Sequence, residues 1–287
     1  MPELPEIEIV KRSLSKVVND VKIVNIKINN SNLRYKIPKK FPEQLVNEKI
    51  VKISRRSKYL IFHFEKKILL VHLGMSGKFF IFRNKDKKLF KTSFYYNLNI
   101  QNKHNHILFF LNNGFLLIYN DVRRFGFFKL FKNTKLEQIA DLQKLGPEPF
   151  SMEFNIKYFE KFVKNKKKNI KNLLMDQSFI SGLGNIYVNE VLFLSKINPF
   201  RACNKLYRQE IKSLINNIRK ILKIAINAGG ASIKDFKNTE GKKGKFQQLF
   251  NVYGLENINC SRISCVGKIK KISISNRSSF YCSKCQK

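Results

Sequence analysis

The chain begins Met1-Pro2-Glu3-Leu4-Pro5-Glu6, and apolar residues then recur at Ile7, Val10, Leu14 and Val17. This spacing predicts an amphipathic helix over 5–18, with Pro5 in its first turn, where proline is favoured. A small residue after Met1 normally permits removal of that methionine, and the chain then starts with the free secondary amine of Pro2. The helix therefore begins beside a candidate reactive group.

The amine of Pro2 has chemistry available to it at neutral pH. An α-amino group titrates near about 8, so part of it is unprotonated. Such an amine attacks an electrophilic carbon and forms a covalent imine, as Lys does in Schiff-base enzymes, and the carboxylates of Glu3 and Glu6 are suited to moving protons. A plainly structural interpretation stays open, in which Pro5 starts the helix and Glu6 and Glu8 stabilise its positive N-terminus.

The charge balance indicates a polyanionic partner. Lys and Arg number 56 against 20 acidic residues among 287, a formal net charge of +36. Nucleic acid is the leading partner and an anionic membrane surface the weaker one. Part of the Lys excess accompanies abundant Asn and Ile, which indicates an AT-rich coding bias. No apolar run reaches the roughly 18 residues of a membrane span, and the acidic N-terminus does not resemble a secretion signal.

The periodicity changes from strand-like to helical along the chain. Short apolar runs separated by turn signals fill about 110 residues from Val21 onward, which predicts a β-sandwich or barrel. Gly146-Pro147-Glu148-Pro149 is typical of a stiff turn and marks a boundary. From 151 the spacing is helical, most clearly over 208–228, which Gly229-Gly230 end. We predict an α+β chain with a sandwich domain, a linker, a helical domain and a cysteine hairpin at 1–135, 136–150, 151–250 and 251–287.

Four of the five cysteines form two close pairs near the C-terminus. Cys260-x4-Cys265 is followed after sixteen residues by Cys282-x2-Cys285. Two close pairs one hairpin apart match a tetrahedral four-thiolate zinc site, although redox-active or incidental cysteines stay open as alternatives. Four thiolates leave no open position for a substrate, so this zinc ion is expected to be structural and to hold a hairpin whose tip presents Arg277.

Two other motifs each allow a nucleic-acid-binding interpretation and a purely structural one, with equal weight. Gly182-Leu183-Gly184-Asn185 joins two helical stretches, so its backbone amides and the Asn185 side chain are placed to hold a phosphate, or it is a plain helical hairpin. Asp121-Val122-Arg123-Arg124-Phe125-Gly126 combines guanidiniums with an aromatic ring. Such side chains enter a duplex and fill the gap left by an extruded base, or the segment is a surface turn with Phe125 in the core. Taken singly, Lys58 and His104 read as ordinary surface residues, whereas Met75 lies between two glycines and fits an exposed apolar tip.

Together these segments closely resemble the formamidopyrimidine-DNA glycosylase family. Leu4 favours this family over its endonuclease VIII sibling, which usually has Gly there. The matching segments, in family order, are Pro2-Glu3-Leu4-Pro5-Glu6, Lys58-Tyr59-Leu60, His72-Leu73-Gly74-Met75-Ser76-Gly77, Arg123-Arg124-Phe125-Gly126, Leu145-Gly146-Pro147-Glu148-Pro149, Gly182-Leu183-Gly184-Asn185-Ile186-Tyr187, Lys234-Asp235-Phe236, Val252-Tyr253-Gly254 and the cysteine hairpin.

The resemblance implies a bifunctional DNA repair enzyme. Members of the family excise oxidised purines, such as 8-oxoguanine and ring-opened formamidopyrimidines, and then cleave the strand by β- and δ-elimination. By resemblance, Pro2 is the nucleophile that attacks C1′, and Glu3 is the general acid/base at the sugar. Lys58 matches the family's catalytic lysine, and Glu6 resembles a supporting carboxylate.

The resemblance also implies the residues that hold double-stranded DNA. Asn185 and Arg277 match a phosphate clamp around the flipped nucleotide, with Arg277 counted among the catalytic residues. Met75, Arg123 and Phe125 match the residues that fill the void and probe the opposite base. The remaining implied DNA contacts are His104, Arg124 and Lys234. The implied fold is an N-terminal β-sandwich, a helix-two-turn-helix domain with a lesion loop and a ribbon with one structural Zn²⁺, in a monomer of the bacterial cytoplasm.

Three departures from the family pattern bear on these expectations. Val122 stands where Pro is usual, Lys245 stands where an aromatic residue is common, and the first cysteine spacing is two residues wider than usual. Lys245 weakens the expectation of purine specificity most, because it falls in the loop expected to cover the flipped base. An oxidised-pyrimidine glycosylase of the endonuclease VIII type and a non-catalytic DNA-binding protein are the alternatives. No departure touches Pro2, Glu3 or Lys58, so we predict that activity is retained.

Overall fold

The computed structural model describes residues 1–83, 88–91, 102–231 and 248–287. These residues form two compact units, one of 1–142 with 228–231 and the other of 143–227 with 248–287. The predicted mixed α+β class is confirmed. The finer division at 135, 150 and 250 stays a prediction, and Lys234 and Lys245 lie outside the described residues.

Two antiparallel sheets form most of the first unit. The six-stranded sheet has the order β2 (Lys49–Ile50), β1 (Val21–Ile28), β8 (Asn105–Leu111), β9 (Phe115–Asn120), β6 (Lys78–Arg83) and β7 (Lys88–Lys91). The four-stranded sheet has the order β10 (Phe127–Lys132), β5 (Lys67–His72), β4 (Tyr59–His63) and β3 (Lys52–Arg56). Each neighbouring pair is antiparallel, so the predicted short strands pair as expected for a β-sandwich.

An aromatic core joins the two sheets. The ring of Phe128 on β10 lies 4.8 Å from Tyr119 and 6.2 Å from Phe79, centroid to centroid, and both partners belong to the other sheet. Phe62 on β4 lies 6.0 Å from Phe79. Such aromatic pairs add about 0.5–1.5 kcal/mol beyond the burial of their area. The alternating apolar side chains of both sheets thus share one hydrophobic core.

A helix, α1 (Leu4–Val18), packs against β3 and β4. Ile7, Val10 and Leu14 are buried on its inner face, as their spacing predicts. The described residues of the first unit also form the short helix α2 (Phe41–Leu45), and the short helix α3 (Ala140–Gln143) ends at the first residue of the second unit.

The described residues of the second unit form four α-helices and a hairpin. They are α4 (Ile156–Val163), α5 (Ile170–Met175), α6 (Asn185–Leu194), α7 (Arg208–Asn227), β11 (Ile269–Ile274) and β12 (Arg277–Cys282). Asn155 and Asn169 cap α4 and α5, since their side chains accept from the backbone N–H groups of Tyr158 and Asn172. The helical spacing from 151 onward is confirmed, and the predicted range 208–228 matches α7 to within one residue.

The central helix of the second unit is α6, which is buried around most of its circumference and packs on α5, α7 and β12. Its Glu190 is buried and accepts from the backbone N–H groups of Asn251, Val252 and Tyr253 at 2.9–3.0 Å. Since a buried carboxylate requires such donors, Glu190 fixes the chain that leads into the cysteine hairpin. Among the described residues, no helix is long and apolar enough to cross a membrane.

Candidate catalytic and nucleic-acid-binding sites

The buried carboxylate of Glu6 holds the N-terminal segment. The backbone N–H of Glu3 donates to Glu6 Oε2 at 2.8 Å, and the backbone N–H of Ala231 donates to Glu6 Oε1 at 2.9 Å. Gly230 has a φ of +81°, and a Cβ there would lie 3.2 Å from the same Oε1. Through these two hydrogen bonds, Glu6 connects the backbone next to Pro2 with Ala231. Ala231 is the last described residue before 232–247.

Lys58 is buried in the turn between β3 and β4. The guanidinium of Arg55 donates from Nε to Glu8 Oε2 on α1 and from Nη1 to the carbonyl of Ser57, both at 3.0 Å. Burial opposes ionisation of Glu8, but hydrogen bonds from Lys11, Arg55 and Arg12 outweigh it and hold the pKa of that carboxyl below its usual range. Arg55 thus connects the helix that follows Pro2 with the turn that carries Lys58.

The His72 ring lies at the end of β5, before the loop of Met75. It stacks on Phe127 with the ring centroids 5.4 Å apart, and its Nδ1 accepts from the backbone N–H of Gly74 at 3.0 Å. Burial, followed by the charges of Lys58 and Arg34, lowers the pKa of His72 to about 4. The ring is therefore neutral at pH 7, which leaves Nδ1 able to accept this bond.

Two loops bring the predicted wedge residues to the surface. Met75 is 37% exposed and Phe125 is 43% exposed, so Phe125 is not a core residue. The guanidinium carbon of Arg123 lies 4.6 Å from the Phe125 ring centroid, a cation–π distance. Arg123, Phe125 and the exposed Arg124 line an open cavity of about 520 Å³ together with Arg34. His104 ends a 3₁₀ turn at Asn102–His104.

In the second unit, Asn185 is the first residue of α6, and its Nδ2 donates to the carbonyl of Ser278 at 2.9 Å. Arg277 is exposed and begins β12. Ser275 and Asn276 before it both have positive φ, of 48° and 59°, as a two-residue hairpin turn requires. The structure therefore brings Asn185 to the strand that carries Arg277.

Lys171 is a buried cation that the sequence does not mark as a site residue. Its side chain is on α5 and 1% exposed, and Nζ donates to the Ser278 carbonyl at 3.0 Å and to Ser279 Oγ at 2.6 Å. Burial, followed by the charge of Arg277, lowers the pKa of Lys171 to about 8. The sequence feature that could have indicated this role is the position of the lysine among the buried residues of a short apolar helix.

The four clustered thiols meet the geometry of a metal site. The Sγ atoms of Cys260 and Cys285 lie 3.8 Å apart, those of Cys265 and Cys282 lie 3.7 Å apart, and all four are within 4.8 Å of one another. Sulfurs at the corners of a tetrahedron with metal–sulfur bonds of about 2.3 Å lie about 3.8 Å apart. The wider first spacing thus still brings its two thiols to the cluster, which is suited to holding a metal ion.

Comparisons with known proteins agree with this architecture. The family model described as the formamidopyrimidine-DNA glycosylase N-terminal domain matches residues 1–128, and the formamidopyrimidine-DNA glycosylase H2TH domain matches residues 145–237. A formamidopyrimidine-DNA glycosylase of Bartonella tribocorum is 44% identical, with 100% of both chains covered. The chain belongs to the formamidopyrimidine-DNA glycosylase family. The expectation drawn from the ordered motifs is confirmed.

Solved structures of this family share the fold. A Lactococcus lactis Fpg variant in complex with DNA containing Fapy-dG has a TM-score of 0.86 at 35% identity, with 100% of both chains covered. The wild-type Lactococcus lactis Fpg in complex with DNA containing an oxidised pyrimidine has a TM-score of 0.85 at 35% identity, again with 100% of both chains covered. The structural similarity therefore extends over the whole length of this chain and of the two solved structures.

Proposed function

We propose that this chain is a base-excision repair DNA glycosylase and AP lyase that removes oxidised purines from double-stranded DNA. The observation that carries the proposal is the hydrogen bond from the backbone N–H of Glu3 to the buried carboxylate of Glu6. This bond fixes the backbone directly after Pro2. An N-terminal amine attacks only when it is held against its target, so a chain end fixed in this way is suited to act as a nucleophile.

Removal of Met1 exposes the secondary amine of Pro2, which bonds to C1′ of the damaged nucleotide as the C1′–base bond breaks. The amine then loses its proton, the C1′–O4′ bond opens, and an iminium forms. This iminium has no N–H proton to lose, so it keeps its charge and draws in the electrons of the C2′–H bond. Loss of the C2′ proton breaks C3′–O and expels the 3′ phosphate, and loss of the C4′ proton then breaks C5′–O and expels the 5′ phosphate. Water hydrolyses the remaining iminium and frees Pro2. We assign the proton transfers at the sugar to Glu3, and Lys58 supports the reaction near the base and its 3′ phosphate.

A base inside a duplex must be extruded before this chemistry. We assign filling of the vacated space to Met75, Arg123 and Phe125, whose exposure and cation–π pairing support the role. Asn185 and Arg277 hold the backbone phosphates, and His104, Arg124 and Lys234 add further DNA contacts. Because these contacts displace counterions from DNA, binding should weaken steeply with salt.

We infer that the metal held by the cysteine cluster is zinc, because four thiolates in tetrahedral geometry are a donor set that favours it. Cys260, Cys265, Cys282 and Cys285 supply all four positions. A zinc ion bound there supplies rigidity to the hairpin of β11 and β12 and takes no part in the reaction. We further infer that the protein acts as a monomer in a bacterial cytoplasm.

The test of the proposal compares excision from duplexes carrying one 8-oxoguanine opposite cytosine with undamaged duplexes. Pro2→Gly should reduce excision greatly, because the rigid secondary amine is lost, whereas the matched variant Pro42→Gly, in α2, should leave it unchanged. N-terminal sequencing establishes that Met1 is removed. Unchanged excision by Pro2→Gly, with Met1 absent, would contradict the proposal.

A second candidate is an oxidised-pyrimidine glycosylase of the endonuclease VIII type. The observation favouring it is Lys245, in place of an aromatic residue common in the family. Excision of 8-oxoguanine and of thymine glycol from otherwise identical duplexes separates the two. A higher kcat/KM for thymine glycol would establish the second candidate and reject purine preference.

A further inference from the structure

The carboxylate of Asp121 lies at the end of β9 and is 0% exposed. It accepts four hydrogen bonds. Oδ1 accepts from Ser76 Oγ at 2.5 Å and from the backbone N–H of Arg123 at 3.2 Å, and Oδ2 accepts from Tyr119 Oη at 3.0 Å and from the backbone N–H of Gly126 at 2.9 Å. A buried carboxylate bonded in this way is a fixed point of the structure, since a donor without its acceptor would carry a desolvation cost.

Three of the four donors come from two separate loops, and the fourth, Tyr119, is on β9. Loop 73–77 carries Met75 and supplies the Ser76 hydroxyl, and loop 121–126 carries Phe125 and supplies two backbone N–H groups. Ser76 Oγ also accepts from the backbone N–H of Arg123 at 3.0 Å, so it bonds both to the carboxylate and to the second loop. A Cβ on Gly74 would lie 2.5 Å from the backbone carbon of Phe125. The two loops therefore touch directly, and the carboxylate and the serine hydroxyl join them.

We propose that Asp121 is a positioning residue that, through Ser76, makes Met75, Arg123 and Phe125 act as one rigid wedge. The inference rests on the wedge role given to those residues under the proposed function. Without the connection, each loop would need to be ordered separately when a base is extruded, and that ordering opposes binding. With it, the three side chains enter DNA in one fixed arrangement.

The same carboxylate restrains loop 121–126 where proline is usual in the family. Val122 is exposed and leaves its own φ unrestricted, whereas proline would fix it. The Asp121 carboxylate bonds the backbone N–H groups of Arg123 and Gly126, on either side of Phe125. This local side-chain turn holds the loop in the absence of the proline.

The test is a double-mutant cycle of Met75→Ala and Phe125→Ala, measured as kcat/KM on duplex 8-oxoguanine opposite cytosine. If the wedge acts as a unit, the double variant should lose at least about fivefold less than the product of the single losses, which corresponds to a coupling of about 1 kcal/mol. In a Ser76→Ala background the two losses should become independent, so the loss of kcat/KM in the double variant should lie within about twofold of the product of the single losses. The matched control is Ser54→Ala, which removes a serine hydroxyl bonded to His63 at 2.7 Å on β3 and β4 and should leave the coupling intact.

A second readout separates positioning from general loss of structure. A single strand carrying an abasic site has no base to extrude. Ser76→Ala, and more strongly Asp121→Asn, should therefore slow excision from duplex DNA while leaving cleavage at this site within about twofold of the unmodified chain. Coupling that persists in Ser76→Ala, or an equal loss on both substrates, would overturn the inference while the wedge role stands. Single alanine variants that leave duplex excision unchanged would overturn the wedge role itself, and the inference with it.

Discussion

Replacement of Lys171 by Met should lower kcat/KM on damaged duplex DNA and should have a smaller effect on the free energy of unfolding. Lys171 bonds the Ser278 carbonyl and Ser279 Oγ at the start of β12, beside Arg277. Its pKa falls from the ordinary 10.5 to about 8, so keeping the charge buried costs at most about 3 kcal/mol below pH 8. The two hydrogen bonds from a charged donor contribute about 1.5–3 kcal/mol each. The two hydrogen bonds therefore exceed the cost of the buried charge by about 0–3 kcal/mol. Burial of the apolar Met side chain offsets part of this difference, so we expect the free energy of unfolding to fall by less than about 3 kcal/mol at pH 7.

The functional effect of Lys171→Met should be larger. The Ser278 carbonyl keeps its bond from Asn185, so the hairpin stays formed, but Arg277 loses one of the groups that fix its strand. Arg277 is proposed to hold a phosphate, and displacement of such a residue by about 1 Å costs up to about 100-fold in rate. We therefore expect kcat/KM on duplex 8-oxoguanine to fall about tenfold or more.

The pH dependence of stability gives an independent check on Lys171. Between pH 8 and 10.5 the unfolded chain keeps the Lys171 proton and the folded chain releases it. Stability should therefore rise with pH across that range, by up to about 3 kcal/mol, relative to Lys171→Met. Urea unfolding at pH 7.5 and 9.5 measures this difference, with Lys212→Met, an exposed lysine on α7, as control. An identical pH slope in Lys171→Met and the unmodified chain, or unchanged kcat/KM, would refute this reasoning.

Three further predictions concern other parts of the chain. The pKa of His72 is about 4 against 6.5 when unfolded, so stability should fall by up to about 3 kcal/mol as pH falls from 6.5 to 4. His72→Asn, which keeps an acceptor for the Gly74 N–H, should flatten that fall, and thermal unfolding at pH 7 and 5 that shows no flattening would reject the assignment. Metal removal by a chelator, or Cys282→Ser, should unfold the cysteine hairpin and abolish duplex binding in a gel-shift assay. Full binding by protein that is shown to be metal-free would contradict a structural role for the metal. Arg55→Gln should lower kcat about tenfold with little change in KM, because it loosens the turn of Lys58; a change confined to KM would place Arg55 in binding instead.

Local patterns in the sequence are sufficient for the elements and for the metal cluster. The spacing of Ile7, Val10 and Leu14 predicts the buried face of α1 because one face of a helix repeats every three to four residues. The cysteine pairs predict the thiol cluster because a hairpin returns the chain to its start. Ordered family motifs predict the fold class and the family, and both are confirmed.

Side chains that act over long separations in sequence could not be predicted in this way. Lys171 meets its partners 107 and 108 residues further along the chain, and no periodicity encodes that meeting. Ser76 meets Asp121 across 45 residues. A single sequence also left Phe125 open between core and surface, because an aromatic residue in a turn fits either. Only the packing of the two loops decides its exposure.

The central claim is that Pro2 forms the covalent intermediate, and borohydride trapping with peptide mapping tests it most directly. The protein is incubated with a duplex carrying one 8-oxoguanine opposite cytosine, with an undamaged duplex beside it, and the trapped product is digested and sequenced by mass spectrometry. We predict a protein–DNA adduct on the damaged duplex alone, with the DNA attached to the nitrogen of Pro2. An adduct on a lysine such as Lys58, or excision without any trapped adduct in protein lacking Met1, would contradict the account.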